Sequence, residues 1–337
     1  MARRTPTTAV LPGLAVLPGL AVITVVGVAA RELGASVPYL SPLVLATAVG
    51  ALLANTTGTP GWARPGIDRH KLLLETGIVL LGARLTVGQL VETGAVVFAL
   101  AAGVVVLGVL FTEVIAGRVL GVPRRPRSLL AAGASVCGVS AVLAVAGSID
   151  VDEADVAYAV ATILLFDAVT LLVYPAVGDV LGVTGKQFGI WVGLSLFSTG
   201  PAVAVGFAVS ELAGQWATVT KLVRNAFIGL VAVGYAIRYA TASGETPGIG
   251  QLRSRFPKFL FGFLAVVAIA NVASPSDAAL SAIGTTGDWL FTLAFAGLGF
   301  EIELRSLRAT GLRPVMLVFA HLLTVSALAL GAVLLLF

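Results

Sequence analysis

The feature that most limits what this chain can become is its rhythm. Apolar runs of about 18–25 residues, the length that crosses a bilayer core as a helix, alternate with short clusters of charge. Mean hydropathy is +1.02 and only 11% of residues are charged, where a soluble domain carries roughly a quarter. The longest polar stretch, Tyr239 to Lys258, is about 20 residues and leaves no room for a soluble domain. The chain therefore reads as all-α, a polytopic membrane protein forming one membrane domain over 1–337, with the lipid bilayer as its solvent. A net charge of +4 is read as a bias between the two membrane faces, with no nucleic-acid partner. A single cysteine, Cys137, excludes an internal disulfide and a thiolate-rich metal site.

Apolar runs and punctuating charges predict about eleven spans, near 9–30, 37–54, 71–91, 93–116, 128–148, 154–177, 187–210, 215–237, 257–273, 286–301 and 314–336. These group into a first helical half, 9–177, and a second, 187–336. The first run follows Arg3 and Arg4 but is longer than a signal core, so it is expected to be retained. Alternate loops differ in basic residues. One set holds 17 of the 21, including Arg64, Arg69, Lys71, Arg124, Arg125, Lys186, Arg253 and Arg308; the other holds Arg31 and the acidic run Asp150, Asp152, Glu153 and Asp155. The richer set is expected to be cytoplasmic, with the N-terminus inside, the C-terminus outside and the chain in the plasma membrane.

Leu81-Gly82-Ala83-Arg84-Leu85 through Thr93-Gly94 parallels Leu298-Gly299-Phe300-Glu301-Ile302 through Thr310-Gly311. The two copies lie in spans of opposite direction, the inverted repeat of secondary transporters. Span 5 yields no clean inverted partner. Spans 5 and 7 read as interrupted helices. Span 5 carries Gly133, Ser135, Cys137, Gly138 and Ser140; span 7 carries Ser195, Ser198, Thr199, Gly200 and Pro201, and proline lacks the N–H a continuous helix uses. Half-helix N-termini suit anions, whereas small residues also serve plain helix packing.

Lys221, Arg224 and Asn225 share one face of span 8. Cations at that depth point to anion recognition, since guanidinium grips an oxyanion with two parallel bonds, against the alternative of snorkelling to the outer surface, above all for Lys221. Asp167, near the middle of span 6, is placed as carrier of a coupling H+ or Na+, with Arg84 as its partner or a part of the site. His321 suits polar packing or proton relay equally, and Glu75, Glu113 and Glu301 lie near span ends. The substrate-binding set expected is thus Ser135, Cys137, Gly138, Ser140, Ser198, Thr199, Pro201, Lys221, Arg224 and Asn225. No phosphate loop, no metal-ligand spacing around His70 and His321 and no catalytic Ser/His/Asp set is found. The chain is expected not to be an enzyme and to need no cofactor or metal.

Gly77 to Leu85, Gly133 to Ala141, Tyr174-Pro175, Phe188 to Gly193, Lys221 to Arg224 and Phe256 to Phe263, in this order, resemble the YeiH-like family of sulfate exporters. The resemblance spans nearly the whole chain. It implies a secondary transporter related to cation–proton antiporters and bile-acid transporters, with inverted repeats and crossed, interrupted helices beside a scaffold panel. The sequence departs from the family pattern where relatives tend to carry a His-Asp pair and it has Phe197-Ser198, and where they tend to have glycine and it has Asp167. Either a carboxylate has moved to a neighbouring helix, or coupling or substrate differs. The leading expectation is a secondary-active exporter of a small sulfate-like or sulfonate-like anion, with a homodimer among the expected assemblies. The alternatives are a cation–proton antiporter using Asp167 and a membrane-embedded enzyme.

Overall fold

The computed structural model describes residues 14–36, 42–84, 87–243, 258–302 and 312–337, which are mostly helical and contain no strand. In chain order the helices are α1 Leu17–Ser36, α2 Pro42–Thr56, α3 Arg64–Ile67, α4 His70–Leu81, α5 Val87–Arg118, α6 Arg124–Ser135, α7 Val139–Ala146 and α8 Glu153–Val180. There follow α9 Gly185–Ser195, α10 Thr199–Val209, α11 Glu211–Asn225, α12 Ile228–Ser243, α13 Lys258–Ala273, α14 Asp277–Gly299 and α15 Leu312–Leu336. Five stretches are long and apolar enough to cross a membrane: Leu17–Gly34, Gly94–Arg118, Glu153–Val180, Glu211–Tyr239 and Leu312–Leu336. Pro42–Thr56, Thr199–Val209 and Phe261–Ala273 are shorter apolar helices.

The helices pack into two bodies. A panel is formed by α1–α4, α13 and α14, and a core by α5–α12 and α15. The bodies touch mainly through α10, which meets α2 and α14, and through α5, which meets α13. This division by packing does not follow the boundary between the two sequence halves. Close backbone contact builds the panel: a Cβ on Gly50 would lie 2.4 Å from Ala296 O, and one on Gly299 would lie 2.3 Å from Thr47 O. Only glycine lets α2 and α14 approach so closely.

Spans 5 and 7 are interrupted as expected, but neither crosses. Each folds back on itself. After α6 the chain turns through Val136–Gly138, with Gly138 at φ +67°, and α7 returns alongside. The Arg125 guanidinium consequently lies 3.0 Å from Asp150 Oδ2, although a straight helix would hold them about 37 Å apart. After α9 the chain is extended at Leu196 and Ser198, and α10 returns with Pro201 in its first turn, where no N–H is needed. Gly189 and Gly206 both pack on Ala213, their Cβ positions 2.4 and 3.0 Å from its carbonyl oxygen. On one straight helix they would be about 25 Å apart.

Between the hairpins α8 crosses, so they enter from opposite faces. Arg118, Arg124, Arg125 and the end of α12 lie on a basic face; there Tyr239 OH donates to Arg124 O at 2.9 Å. Lys186 lies on the other face, 4.6 Å from the Trp216 ring and 5.0 Å from that of Phe337. Two sequence expectations are therefore corrected. Lys186 leaves the basic set, and the acidic run from Asp150 joins it. The count of about eleven spans is not sustained either, because it took both hairpins for crossings. Of the basic loop residues, Arg3, Arg4, Arg253, Arg255, Arg305 and Arg308 lie outside the described residues.

In the proposed sequence repeat, Gly82 and Gly299 sit at the far ends of α4 and α14, each pressed against a panel neighbour, α13 and α2 respectively. Leu85 of the first copy and Leu307–Gly311 of the second lie outside the described residues. The other hairpin is the element most like span 5: Gly133-Ala-Ser135 and Gly193-Leu-Ser195 each close an inbound helix with a Gly-x-Ser run.

Re-entry makes a sidedness prediction. In a Cys137→Ser background, Asp150→Cys should react with an impermeant thiol reagent from the same side as Val119→Cys and opposite to Val180→Cys. Labelling of Asp150→Cys from the Val180 side would restore the crossing topology.

Candidate functional site

The hairpin tips meet. A Cβ on Gly138 would lie 2.0 Å from Ser198 Oγ, so the positive φ and the contact both demand glycine there. A tip at membrane depth exposes the last carbonyls of its inbound helix, which must find donors within the protein. Lys221 and Arg224 of α11, both fully buried, supply them. Lys221 Nζ donates to Val136 O at 3.0 Å, to Leu196 O at 2.7 Å and to Phe197 O. Arg224 Nε donates to Val136 O at 2.7 Å; its other nitrogens reach Leu194 O, Gly193 O at 3.4 Å and Ala134 O at 3.3 Å. Each cation bridges matching carbonyls of both hairpins. The three carbonyl acceptors around Lys221 match the three protons of an ammonium.

The expectation that these cations grip an anion directly is thereby corrected: their donors point at backbone carbonyls, and neither residue lines the cavity described next. They fasten the hairpins and place positive charge just behind them.

The outbound helices start at the same place. Asp167 of α8, 4% exposed, accepts the Ser198 backbone N–H at 3.1 Å and so supplies a carboxylate to the N-terminus of α10. Asn225 Nδ2 donates to Thr199 Oγ1 at 2.9 Å. Asp167 Oδ2 and Asn225 Oδ1 are buried without a hydrogen-bond partner among the described residues. The N-terminus of α7 has Val139 and Ser140 in its first turn, with no side-chain cap.

A cavity of about 630 Å³ runs from these tips between core and panel. Of the residues singled out by sequence, Cys137, Ser140, Asp167, Ser198, Thr199, Pro201 and Asn225 line it, while Ser135, Gly138, Lys221 and Arg224 sit behind. Its walls include Leu74, Ile78, Leu171 and Phe295, and its lining reaches the basic face at Lys71 and Glu301, side chains 66% and 30% exposed, which we take as its mouth, with buried His70 beside them. There Lys71 Nζ is 2.8 Å from Glu301 Oε1, and His70 Nε2 is 3.6 Å from it. Arg84 is not the partner of Asp167: it pairs with Glu211 at the other end of α4. His321 is fully buried, its Nδ1 2.7 Å from Thr112 Oγ1, away from the cavity.

Sequence reasoning also undervalued Glu113. Its carboxylate receives Ser128 Oγ at 2.7 Å and Tyr235 OH at 3.0 Å, and pairs with Arg127 at 2.9 Å and Arg238 at 3.2 Å. This joint ties α5, α6 and α12 at the base of the first hairpin. All four of its partners come from other helices, so no local pattern announces it.

A family model described as Conserved hypothetical protein 698 matches residues 18–318. A UPF0324 membrane protein of Nitratidesulfovibrio vulgaris is 32% identical over 303 residues, covering 88% of this chain and 84% of the relative. One of Agrobacterium fabrum is 31% identical over 298 residues, covering 88% and 85%. One of Corynebacterium glutamicum is 30% identical over 302 residues, covering 88% and 86%. No solved structure matches. The chain belongs to this membrane protein family.

Removing one of the fastening cations strands several buried carbonyls. Lys221→Met and Arg224→Met should each lower stability by about 3–5 kcal/mol, read as denaturation of the detergent-solubilised protein. Lys71→Met, at a largely exposed ion pair, should change it by less than about 1 kcal/mol. Wild-type stability in Lys221→Met would contradict the fastening role.

Proposed function

We propose that this chain is a secondary-active transporter that moves a small sulfate-like or sulfonate-like anion across the plasma membrane, with its site at the meeting hairpin tips. The supporting observation is the balance of charge there. Lys221 and Arg224 contribute two positive charges, offset by the two inbound C-termini at roughly half a charge each. The outbound N-termini add roughly half a charge each, and Asp167 removes one. The tips keep a surplus of roughly one positive charge beside a cavity, which one anion neutralises. Three of the four helix ends have a fixed counter-charge in the chain. The fourth, the α7 N-terminus with Ser140, borders the cavity and is the place for the anion.

Asp167 carries the coupling H+ or Na+ in this reading. It sits on the α10 N-terminus next to the anion site, so gaining a cation there favours the anion and losing it disfavours it. Two loosely joined bodies with a site between them are suited to alternating access. The cavity mouth lies on the basic face; if loop charge sets orientation, that face and the N-terminus are cytoplasmic and the described state is loaded from inside, as export requires.

One observation favours a second reading, a cation–proton antiporter. Asp167 Oδ2 and Asn225 Oδ1, both unpartnered acceptors, would take a cation. Thermal shift of purified protein against sulfate, thiosulfate, short organosulfonates and sodium separates the two, because a ligand of the folded state raises the melting temperature. The anion reading expects stabilisation by at least one anion. It also expects Asp167→Asn, which keeps an acceptor for the Ser198 N–H, to retain that anion shift. In proteoliposomes the variant should lose dependence of anion flux on the proton or sodium gradient. Stabilisation by sodium alone, abolished in Asp167→Asn, would overturn the anion reading in favour of the antiporter.

A further inference from the structure

The two bodies are held apart by the cavity on the basic face, yet they are joined on the other. Two side-chain pairs meet across that junction, with the Asp288 carboxylate of α14 near the outer one. Arg84, in the short turn Gly82–Arg84 after α4, pairs with Glu211 at the first position of α11. The ion pair runs from panel to core, and Arg84 crosses Gly284 of α14 to make it, with a would-be Cβ only 3.1 Å from its guanidinium. One layer deeper, Phe207 of α10 meets Phe291 of α14, ring centroids 5.4 Å apart and planes at 36°.

The seating of these rings is informative. Phe291 rests on Gly77 of α4, where a Cβ would come within 2.8 Å of the ring, and Phe207 rests on Gly214 of α11, where it would come within 2.3 Å. Each ring is therefore embedded in a glycine notch of its own body, and the ring pair is the surface along which the bodies separate. The ion pair is half-exposed, with side-chain exposures of 29% and 51%, and pairs of that kind contribute little to stability. The junction is closed by contacts weak enough to reverse.

We infer that Arg84–Glu211 and Phe207–Phe291 form a two-layer gate that shuts the cavity from the face opposite its mouth, and that parting them opens the site to that face. Each layer has a distinct part. The rings exclude water between the tips and the outside, and the ion pair sets how often the bodies part. The second hairpin moves with the core, because Phe207 and Glu211 flank its outer end. This inference rests on the transporter reading for its purpose, but accessibility tests it without any flux.

The reporter is Ser140→Cys in the Cys137→Ser background, since Ser140 is exposed in the cavity. Full-length protein in sealed vesicles of both orientations is treated with a membrane-impermeant thiol reagent. The cysteine should react readily from the mouth face and slowly from the gate face. Arg84→Ala or Glu211→Ala should raise the gate-face rate roughly fivefold, the population change that corresponds to about 1 kcal/mol. Phe207→Ala should raise it further, and the swap of Arg84→Glu with Glu211→Arg should bring it back toward the parent. A second measurement does not depend on any loss of contact. Phe207→Cys with Phe291→Cys, in a background lacking both Cys137 and the reporter, should be joined by a short bifunctional thiol reagent that spans the space of the two rings. Gate-face labelling as fast as mouth-face labelling in the parent, or gate variants that leave the rate unchanged, would overturn the gate. A gate that behaves as described in a protein that moves no anion would leave the gate standing and remove the substrate assignment alone.

Discussion

The fold depends on how backbone carbonyls are satisfied where two helical hairpins end inside the membrane. A helix that stops at depth leaves acceptors with no water to meet them, and two such helices stop here at one point. Lys221 and Arg224 meet the cost for both at once, donating to Val136 and Ala134 on one hairpin and to Leu196, Phe197, Leu194 and Gly193 on the other. Without them most of these carbonyls would lose their donors, and the tips would be left with the Gly138–Ser198 contact alone between them. The same pair gives the tips their positive character. Structural need and electrostatic function are thus served by the same two side chains, which act on a ligand through the field they create and not through contact.

Much of this was legible in the sequence, and what was missed was missed for a physical reason. The hydrophobic runs, the interruptions near Gly138 and Ser198, the depth of Asp167 and the shared face of Lys221, Arg224 and Asn225 all follow from composition and spacing. The fold-back does not. A run of about 21 apolar residues reads the same whether its helix crosses the bilayer or turns at the middle and returns. Alternating charge appeared to confirm the crossings because two errors compensated. Both hairpins were counted as spans, so parity beyond them was preserved and only Lys186 and the acidic run from Asp150 were assigned to the wrong face. The repeated Gly-x-Ser at 133–135 and 193–195 was the one local sign that spans 5 and 7 are equivalent units.

Arg84 shows the other kind of limit. Its depth suggested a role, and Asp167 was the available opposite charge in the neighbouring spans. The partner it takes, Glu211, lies 127 positions away at the start of a helix whose location depends on the second hairpin turning back. Long-range pairing of this kind is set by topology, and the joint around Glu113 is hidden by the same cause. Sequence identifies which residues are costly to bury. Which of them meet is a property of the assembled bodies.

The central claim is that two re-entrant tips, fastened from behind by buried cations, present an anion site at the start of α7. An experimental structure determined with selenate, a heavy sulfate analogue with an anomalous signal, tests this directly. The account predicts an anomalous peak within hydrogen-bonding distance of the Val139 and Ser140 amides, between the tips and Asp167. A selenate-soaked structure with no peak at the tips, or with peaks only at Lys71 and the arginines of the basic face, would contradict it.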